Sequence, residues 1–374
     1  MMYRDYPVYK VAVAQLGSVF KDKPQYFDSR ATLAKAIKAI EEAGKNGARF
    51  MVFPEIFLPG YPYWSINLKE GPEFALIWRE YLRHSPIVPG PETEEICAAA
   101  KKANCYIAMG INERDPELEG RMYNAILFVS SEGEVMGTHR KLNITVHEQL
   151  FHTRADVTRV TPCDNIRIYE TGIGKLSGLI CGEHCQPLLM QHMVVEGEQI
   201  HAALWPGYFD YPGAYSLRTV IPAMTQGLCI AAQNWAAVAS CYIPPNEIPR
   251  NFYSNSIFDG TFGGSCVINP VGEIVAGPLY DSEGIVYYDV DLGFIPLAKS
   301  VVNLTGSYDR RDVLSLLRRE KPYFPVATIE KMEDITYSEA AETIAHLKER
   351  LTKLEARVQI LDEGKAKKLG SSKR

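Results

Sequence analysis

Three short segments, Phe53-Pro54-Glu55, His139-Arg140-Lys141 and Cys181-Gly182-Glu183, each follow an apolar, strand-like run and together supply a carboxylate, an ammonium and a thiol. A cysteine becomes a strong nucleophile once a base takes its proton, and its attack builds negative charge that a nearby cation can hold. Glu55, Lys141 and Cys181 therefore form a candidate set of base, cation and nucleophile. Their separation in sequence is normal for side chains assembled at strand ends of an α/β fold.

Each residue also has an ordinary explanation. Most cysteines are small buried hydrophobes, and Cys105, Cys229 and Cys266 lie in or beside apolar runs. Cys181 differs because it ends the run 176–180 amid polar neighbours and precedes Gly182, which lets a backbone or substrate approach closely. Backbone N–H groups near the expected helix start at Pro187 would favour developing negative charge. Glu183, His184 and Cys185 crowd together as metal ligands can, but no matching second cluster accompanies them, so no metal is expected. Burial behind Phe53-Pro54 would raise the pKa of Glu55 and suit it to take a thiol proton; a solvated strand-end carboxylate is the plainer reading. A lone lysine is usually a solvated charge, so Lys141 gains its meaning from the combination: beside Cys181 it would lower the thiol pKa and stabilise an anionic intermediate. Tyr61, Trp64 and Trp205 flank these motifs and fit either a substrate pocket or core packing. His152 and His184 are assigned no chemical step.

The elements that must position these groups alternate along the chain. Apolar runs predict strands over 8–14, 48–53, 105–111, 123–129, 175–180, 200–204, 229–233 and 284–290. Amphipathic spacing predicts helices over 29–43, 93–102, 187–197 and 215–225. Turn residues at Ser131-Glu132-Gly133-Glu134 and Asn269-Pro270-Val271-Gly272-Glu273 mark tight reversals. Interleaved strands and helices without a fixed repeat indicate sheets covered by helices.

Composition narrows the partners. The 374 residues are 46% hydrophobic, ample for a packed core. Forty basic against 45 acidic residues leave a net charge of −5, so no global field favours nucleic acid or an anionic membrane. The opening MMYRDYPVYK has no apolar signal core, and the most apolar stretch, 227–240, is too short to span a bilayer. With eight scattered cysteines, this predicts a cytoplasmic protein holding reduced thiols. Near the end, Ile344, Leu347, Leu351, Leu354, Val358 and Leu361 recur at spacings of three and four, as in a heptad seam, either a coiled coil or one helix docked on its own domain. The basic residues after Gly364 predict disorder.

These residues match a known family: the chain resembles the nitrilase branch of the carbon–nitrogen hydrolases. Phe53-Pro54-Glu55, His139-Arg140-Lys141-Leu142 and the stretch from Cys181 through Leu188 are similar to its glutamate, lysine and cysteine motifs, in order and spacing. The likeness extends through Pro59-Gly60-Tyr61-Pro62-Tyr63-Trp64, Gly197-Glu198-Gln199-Ile200-His201 and Trp205-Pro206-Gly207, from about residue 8 to about residue 300. It implies a four-layer αββα sandwich over residues 1–328, a C-terminal helix over 329–363 as an oligomerisation segment, and a basic tail over 364–374. It implies Glu55 as general base, Lys141 as the stabilising cation, Cys181 as nucleophile, and Glu148 as a second glutamate positioning the lysine or the substrate. Tyr61, Trp64, Gly182 and Trp205 are the expected substrate-binding residues. No cofactor is required. The expected partners are a small nitrile and further copies of the chain, as a dimer or larger spiral assembly. Gly182 stands where many members carry tryptophan, and Asn143-Ile144-Thr145 and Phe151-His152-Thr153-Arg154 also depart from common patterns beside the pocket, leaving substrate size and product ratio open. The expected reaction is nitrile hydrolysis to a carboxylic acid and ammonia. An amidase, a nitrile or cyanide hydratase using the same groups, and a catalytically silent assembly protein are the alternatives.

Overall fold

The computed structural model describes residues 6–65, 71–155, 162–207, 216–249, 260–318, 345–346 and 348–353. The chain divides into two units, Met1–Pro322 and Tyr323–Arg374.

In the first unit the order begins β1 (Val8–Gln15), α1 (Ser29–Lys45), β2 (Ala48–Val52), α2 (Pro72–His84), α3 (Pro91–Ala103), β3 (Tyr106–Arg114), β4 (Met122–Val129) and β5 (Val135–Arg140). It continues α4 (Pro162–Asn165), β6 (Tyr169–Thr171), β7 (Gly174–Ile180), α5 (Pro187–Glu196), β8 (Ile200–Trp205), α6 (Leu217–Ala232) and β9 (Trp235–Ser240). A hairpin of β10 (Gly263–Ile268) and β11 (Ile274–Tyr280), then β12 (Gly284–Asp291) and α7 (Phe294–Ala298), complete it.

Two six-stranded sheets result, ordered β12-β1-β2-β3-β4-β5 and β11-β10-β9-β8-β7-β6. Strand alternation builds the layers. Val11, Val13, Phe50 and Val52 point into the core shared by both sheets, where they meet Ile180, Ile200, Ala202 and Leu204. Ala12, Ala14 and Met51 point the other way, against Leu33, Ala36 and Ile40 of α1 and Ile96 and Ala100 of α3. On the far side, α5 and α6 cover the second sheet through Leu189, Met193, Ile221 and Leu228. Central strands buried on both faces carry near-continuous apolar sequence, as parallel strands beneath helices do. The layering is the expected αββα sandwich.

Chain direction places the site. β1, β2 and β3 are parallel, and two antiparallel steps through β4 return β5 to the same sense. β7, β8 and β9 are likewise parallel. Glu55, Lys141 and Cys181 each leave the C-terminal end of a strand, and Glu55 N–H donates to Trp205 O at 3.3 Å, tying the end of β2 to that of β8.

One stretch departs from the predicted pattern. Residues 229–233, expected as a strand, form the last turn of α6, and the strand begins only at Trp235. The predicted helix end at 225 is therefore too early, and its start at 215 lies outside the described residues. The apolar run 227–240 serves two elements because Gln233 takes φ +54 and stops the helix. Pro222 lies inside α6 without breaking it, and the Arg218 carbonyl that its missing N–H cannot serve accepts the Tyr280 hydroxyl at 3.4 Å.

Among the described residues no helix is long and apolar enough to cross a membrane. A cavity of about 690 Å³ lies between α5 and residues 304–316, and none of Glu55, Lys141, Glu148 and Cys181 lines it. In the second unit Ala345, His346 and residues 348–353 are helical, and Leu351 is exposed. The other seam residues, Ile344, Leu347, Leu354, Val358 and Leu361, the boundary at 328 and the tail after 364 lie outside the described residues.

Candidate active site

Glu55 sits just past β2 on a chain segment that turns sharply: Ile56 takes φ +43, a conformation costly for a β-branched residue. Gly110 on β3 makes room, since a Cβ there would fall 2.1 Å from Pro54 O. The turned carboxyl is buried and its Oε1 accepts from Asn124 Nδ2 at 2.7 Å and from Lys141 Nζ at 2.8 Å. Oε2 is buried with no hydrogen-bond partner.

Lys141, also buried, spends its remaining donors on Glu148, at 2.8 Å to Oε1 and 3.0 Å to Oε2. Glu148 occupies the first turn of the short helix Val146–Leu150 and accepts from Thr145 N at 3.1 Å and Tyr61 OH at 2.6 Å. The charges sort themselves accordingly. Burial works to lower Lys141, but Glu148 and Glu55 outweigh it and hold the ammonium well above its ordinary range. Burial likewise works to raise Glu148, but Lys141, His152 and Tyr61 hold it at about 2. Glu55 gets less from the shared ammonium. Burial, reinforced by the Glu148 charge, lifts it to about 7 against the pull of Lys141 and Asn124. Near neutral pH the cluster is therefore one fixed ion pair beside a carboxyl poised to gain or lose a proton.

Cys181 follows β7 with φ +50, a left-handed conformation costing an L-residue about 1–2 kcal/mol. Its side chain is half-buried. Burial first, then Glu55, push the thiol well above its usual value, opposed by Lys141 and by the Gly182 N–H. At Gly182 an added Cβ would meet nothing within 4 Å among the described residues. The resting group is thus a thiol rather than a thiolate.

Glu183 locks the cysteine turn to the lysine segment. Its Oε2 accepts from Ile180 N at 2.9 Å and His139 Nε2 at 2.8 Å, and its Oε1 from Leu142 N at 2.8 Å. His139 also donates to Asn165 O at 2.8 Å; burial opposes its charge, but Glu183 overcomes this and raises its pKa. Glu183 and His184 are thus committed to bonds within the protein, and Cys185 Sγ donates to Gly182 O at 3.0 Å.

The expected aromatic pocket residues are all buried. Trp64 is wholly buried among Phe27, Tyr81 and Phe151, where its large ring surface gains most from packing. Tyr61 is buried as the anchor of Glu148. Trp205 is buried against His184 and faces the helix layer. Cys181 packs against the apolar cluster that contains Trp205. Asn124 went unanticipated, although one amide within the apolar strand Met122–Val129 was a readable signal.

The comparisons with known proteins agree with this architecture. The carbon-nitrogen hydrolase family model matches residues 10–299. A protein named nitrilase 2, from an unknown prokaryotic organism, is 33% identical over 80% of this chain and 91% of its own length. A bifunctional nitrilase/nitrile hydratase of Lupinus angustifolius is 33% identical over 88% of this chain and 92% of its own. The crystal structure of a carbon-nitrogen hydrolase from Helicobacter pylori G27 superposes with a TM-score of 0.63 at 19% identity, covering 82% of this chain and 97% of that one. Motifs, sandwich and relatives converge, and the chain belongs to the carbon–nitrogen hydrolase family.

Proposed function

We propose that the protein hydrolyses a small organic nitrile to the carboxylic acid and ammonia, with Cys181 as nucleophile, Glu55 as base, Lys141 as cation and Glu148 as the carboxylate that holds Lys141. The observation carrying this reading is the buried Glu55–Lys141–Glu148 cluster acting on the sulfur, with Glu55 Oε2 unbonded. Glu55 takes the thiol proton as sulfur attacks the nitrile carbon, then passes it to the nitrile nitrogen, giving a neutral thioimidate. Lys141 and the Gly182 N–H offset the negative charge that develops. Water adds across the C=N bond with Glu55 as base, the protonated nitrogen leaves as ammonia, and a thioester remains. A second water, deprotonated by Glu55, releases the acid and restores the thiol.

If the tetrahedral intermediate expels sulfur before ammonia, the product is the amide. The lupin relative is named for both activities, so both products should be measured. Ammonia, acid and amide are measured across a panel of aliphatic, arylaliphatic and aromatic nitriles, cyanide and the matching amides. Turnover of nitriles, with an adduct mass on the peptide containing Cys181, is the expected result. Turnover of amides alone assigns an amidase, and no turnover of either class points to an assembly protein. Exposed apolar side chains at Leu188, Leu297, Val301, Leu314 and Leu317 support a second copy of the chain as protein partner.

Because Glu55 must be ionised to act, kcat/KM should fall tenfold per unit of pH below an apparent pKa of about 7. A profile flat from pH 8 to pH 5.5 would remove Glu55 from the role of base.

A further inference from the structure

His184, three residues beyond Cys181, is buried flat against the Trp205 indole, with ring centroids 5.0 Å apart and planes inclined by 23°. Its Nδ1 lies 2.7 Å from the Cys181 carbonyl oxygen. A carbonyl only accepts, so Nδ1 carries the proton. Burial and the neighbouring His201 hold His184 well below the ordinary histidine range, which keeps Nε2 unprotonated. That nitrogen faces His201 Nε2 at 3.1 Å, so His201 must donate to it. The other His201 nitrogen, Nδ1, faces Glu198 Oε1 at 2.8 Å. Ser177 Oγ donates to the same oxygen at 2.5 Å and Asn234 Nδ2 to Glu198 Oε2 at 2.5 Å. Glu198 thus gathers His201, Ser177 and Asn234 on its two oxygens. His201 thereby bridges Glu198 and His184, and presents its Nε2–H to His184.

This buried chain runs between β7 and β8, where Ser177 and His201 are register partners, and ends on a single peptide group. The carbonyl of the Cys181–Gly182 peptide takes the His184 bond, and the N–H of that same peptide draws the Cys181 thiol pKa down against burial. Pulling on a peptide oxygen polarises its N–H, so the two bonds reinforce each other. Burying this many polar groups costs desolvation that apolar residues of similar volume would avoid, so a role in packing alone does not account for the arrangement.

We propose that Glu198, His201 and His184 are positioning residues for the nucleophile: through the Cys181–Gly182 peptide they fix and polarise the N–H that meets the sulfur as it becomes anionic. The inference rests on Cys181 being the nucleophile, as proposed above. It adds no group to the reaction and moves no proton; it sets the orientation and donor strength of one N–H while Glu55, Lys141 and Glu148 act on the sulfur from the other sheet.

Alkylation of Cys181 by iodoacetamide, followed by peptide mass spectrometry, reads the sulfur without a substrate. His184→Leu removes the donor and should slow alkylation at pH 8 about tenfold, with kcat on a nitrile falling similarly and KM within about twofold of wild type, as expected for a weakened bond to a charge. His184→Asn places an amide donor where Nδ1 was and should recover part of the rate. His201→Gln keeps an amide donor toward His184 on a differently shaped side chain and should fall between wild type and His184→Leu. Folded His184→Leu protein alkylating at the wild-type rate overturns the proposal. So do equal losses in the Asn and Leu variants that track an equal drop in urea midpoint, because that marks a merely structural role. A wild-type protein that turns over no nitrile or amide defeats the functional reading instead, while the ranking of alkylation rates still decides this one.

Discussion

Replacing Lys141 with methionine should cost the protein about 10²–10³-fold in kcat/KM and about 3–5 kcal/mol in stability at pH 8. Methionine keeps the unbranched stem and removes only the ammonium. That ammonium makes three bonds to two buried carboxylates, at 2.8, 2.8 and 3.0 Å, so its loss strands both Glu55 and Glu148 without a counter-charge. The pH dependence separates this cause from simple misfit. In the wild type Glu148 is depressed to about 2, so its contribution is present above the unfolded value of 4.5 and is lost as pH falls from there through 2. In the variant both carboxyls are raised instead, by burial and by each other. The folded state then takes up protons at pH values where the unfolded chain does not. The deficit should be full at pH 8 and shrink as pH falls toward 5. Urea unfolding at both pH values measures it, and a deficit of equal size at each would mean that the ion pair is not its source.

The contrast between readable and unreadable parts of this site follows from what sequence encodes locally. Glu55, Lys141 and Cys181 could be picked out because each closes an apolar run, and parallel strands bring such ends together. The layered sandwich was legible from the same runs. Contacts between elements were not. Nothing in the spacing of Glu183 shows that its carboxylate will collect Leu142 N, Ile180 N and His139, since those donors come from β5, the loop just after it, and β7 of the other sheet. Trp64 and Tyr61 sit in one motif, yet one fills a core and the other anchors Glu148, a difference set by where α2 and the Val146–Leu150 turn pack. The boundary between α6 and β9 was misplaced because hydrophobicity is continuous across it; the break comes from the backbone at Gln233. Gln233-Asn234, the polar pair within that run, is the mark that the sequence carries of this boundary.

Glu55→Gln should reduce turnover about 10²–10⁴-fold while leaving the fold nearly as stable as before. The amide keeps Oε1 as an acceptor for Lys141 and Asn124, and it puts a non-basic nitrogen where Oε2 would receive the thiol proton. Two stability terms oppose each other. Wild-type Glu55 is raised from 4.5 to about 7, so the folded state gains from protonating it at low pH and loses that gain as pH rises through this window, worth about 3 kcal/mol by pH 8. Glutamine never ionises and escapes that loss, but its nitrogen is buried without an acceptor, which costs about 1–3 kcal/mol. At pH 8 the terms nearly cancel. At pH 5, where wild-type Glu55 is already protonated when folded, only the second remains and the variant is the less stable protein. The variant should therefore gain on the wild type between pH 5 and pH 8 in urea unfolding, and its residual kcat/KM should lose the acid limb near 7. A stability difference independent of pH would show that Glu55 is not the raised carboxyl, and a retained acid limb would assign the base to another group.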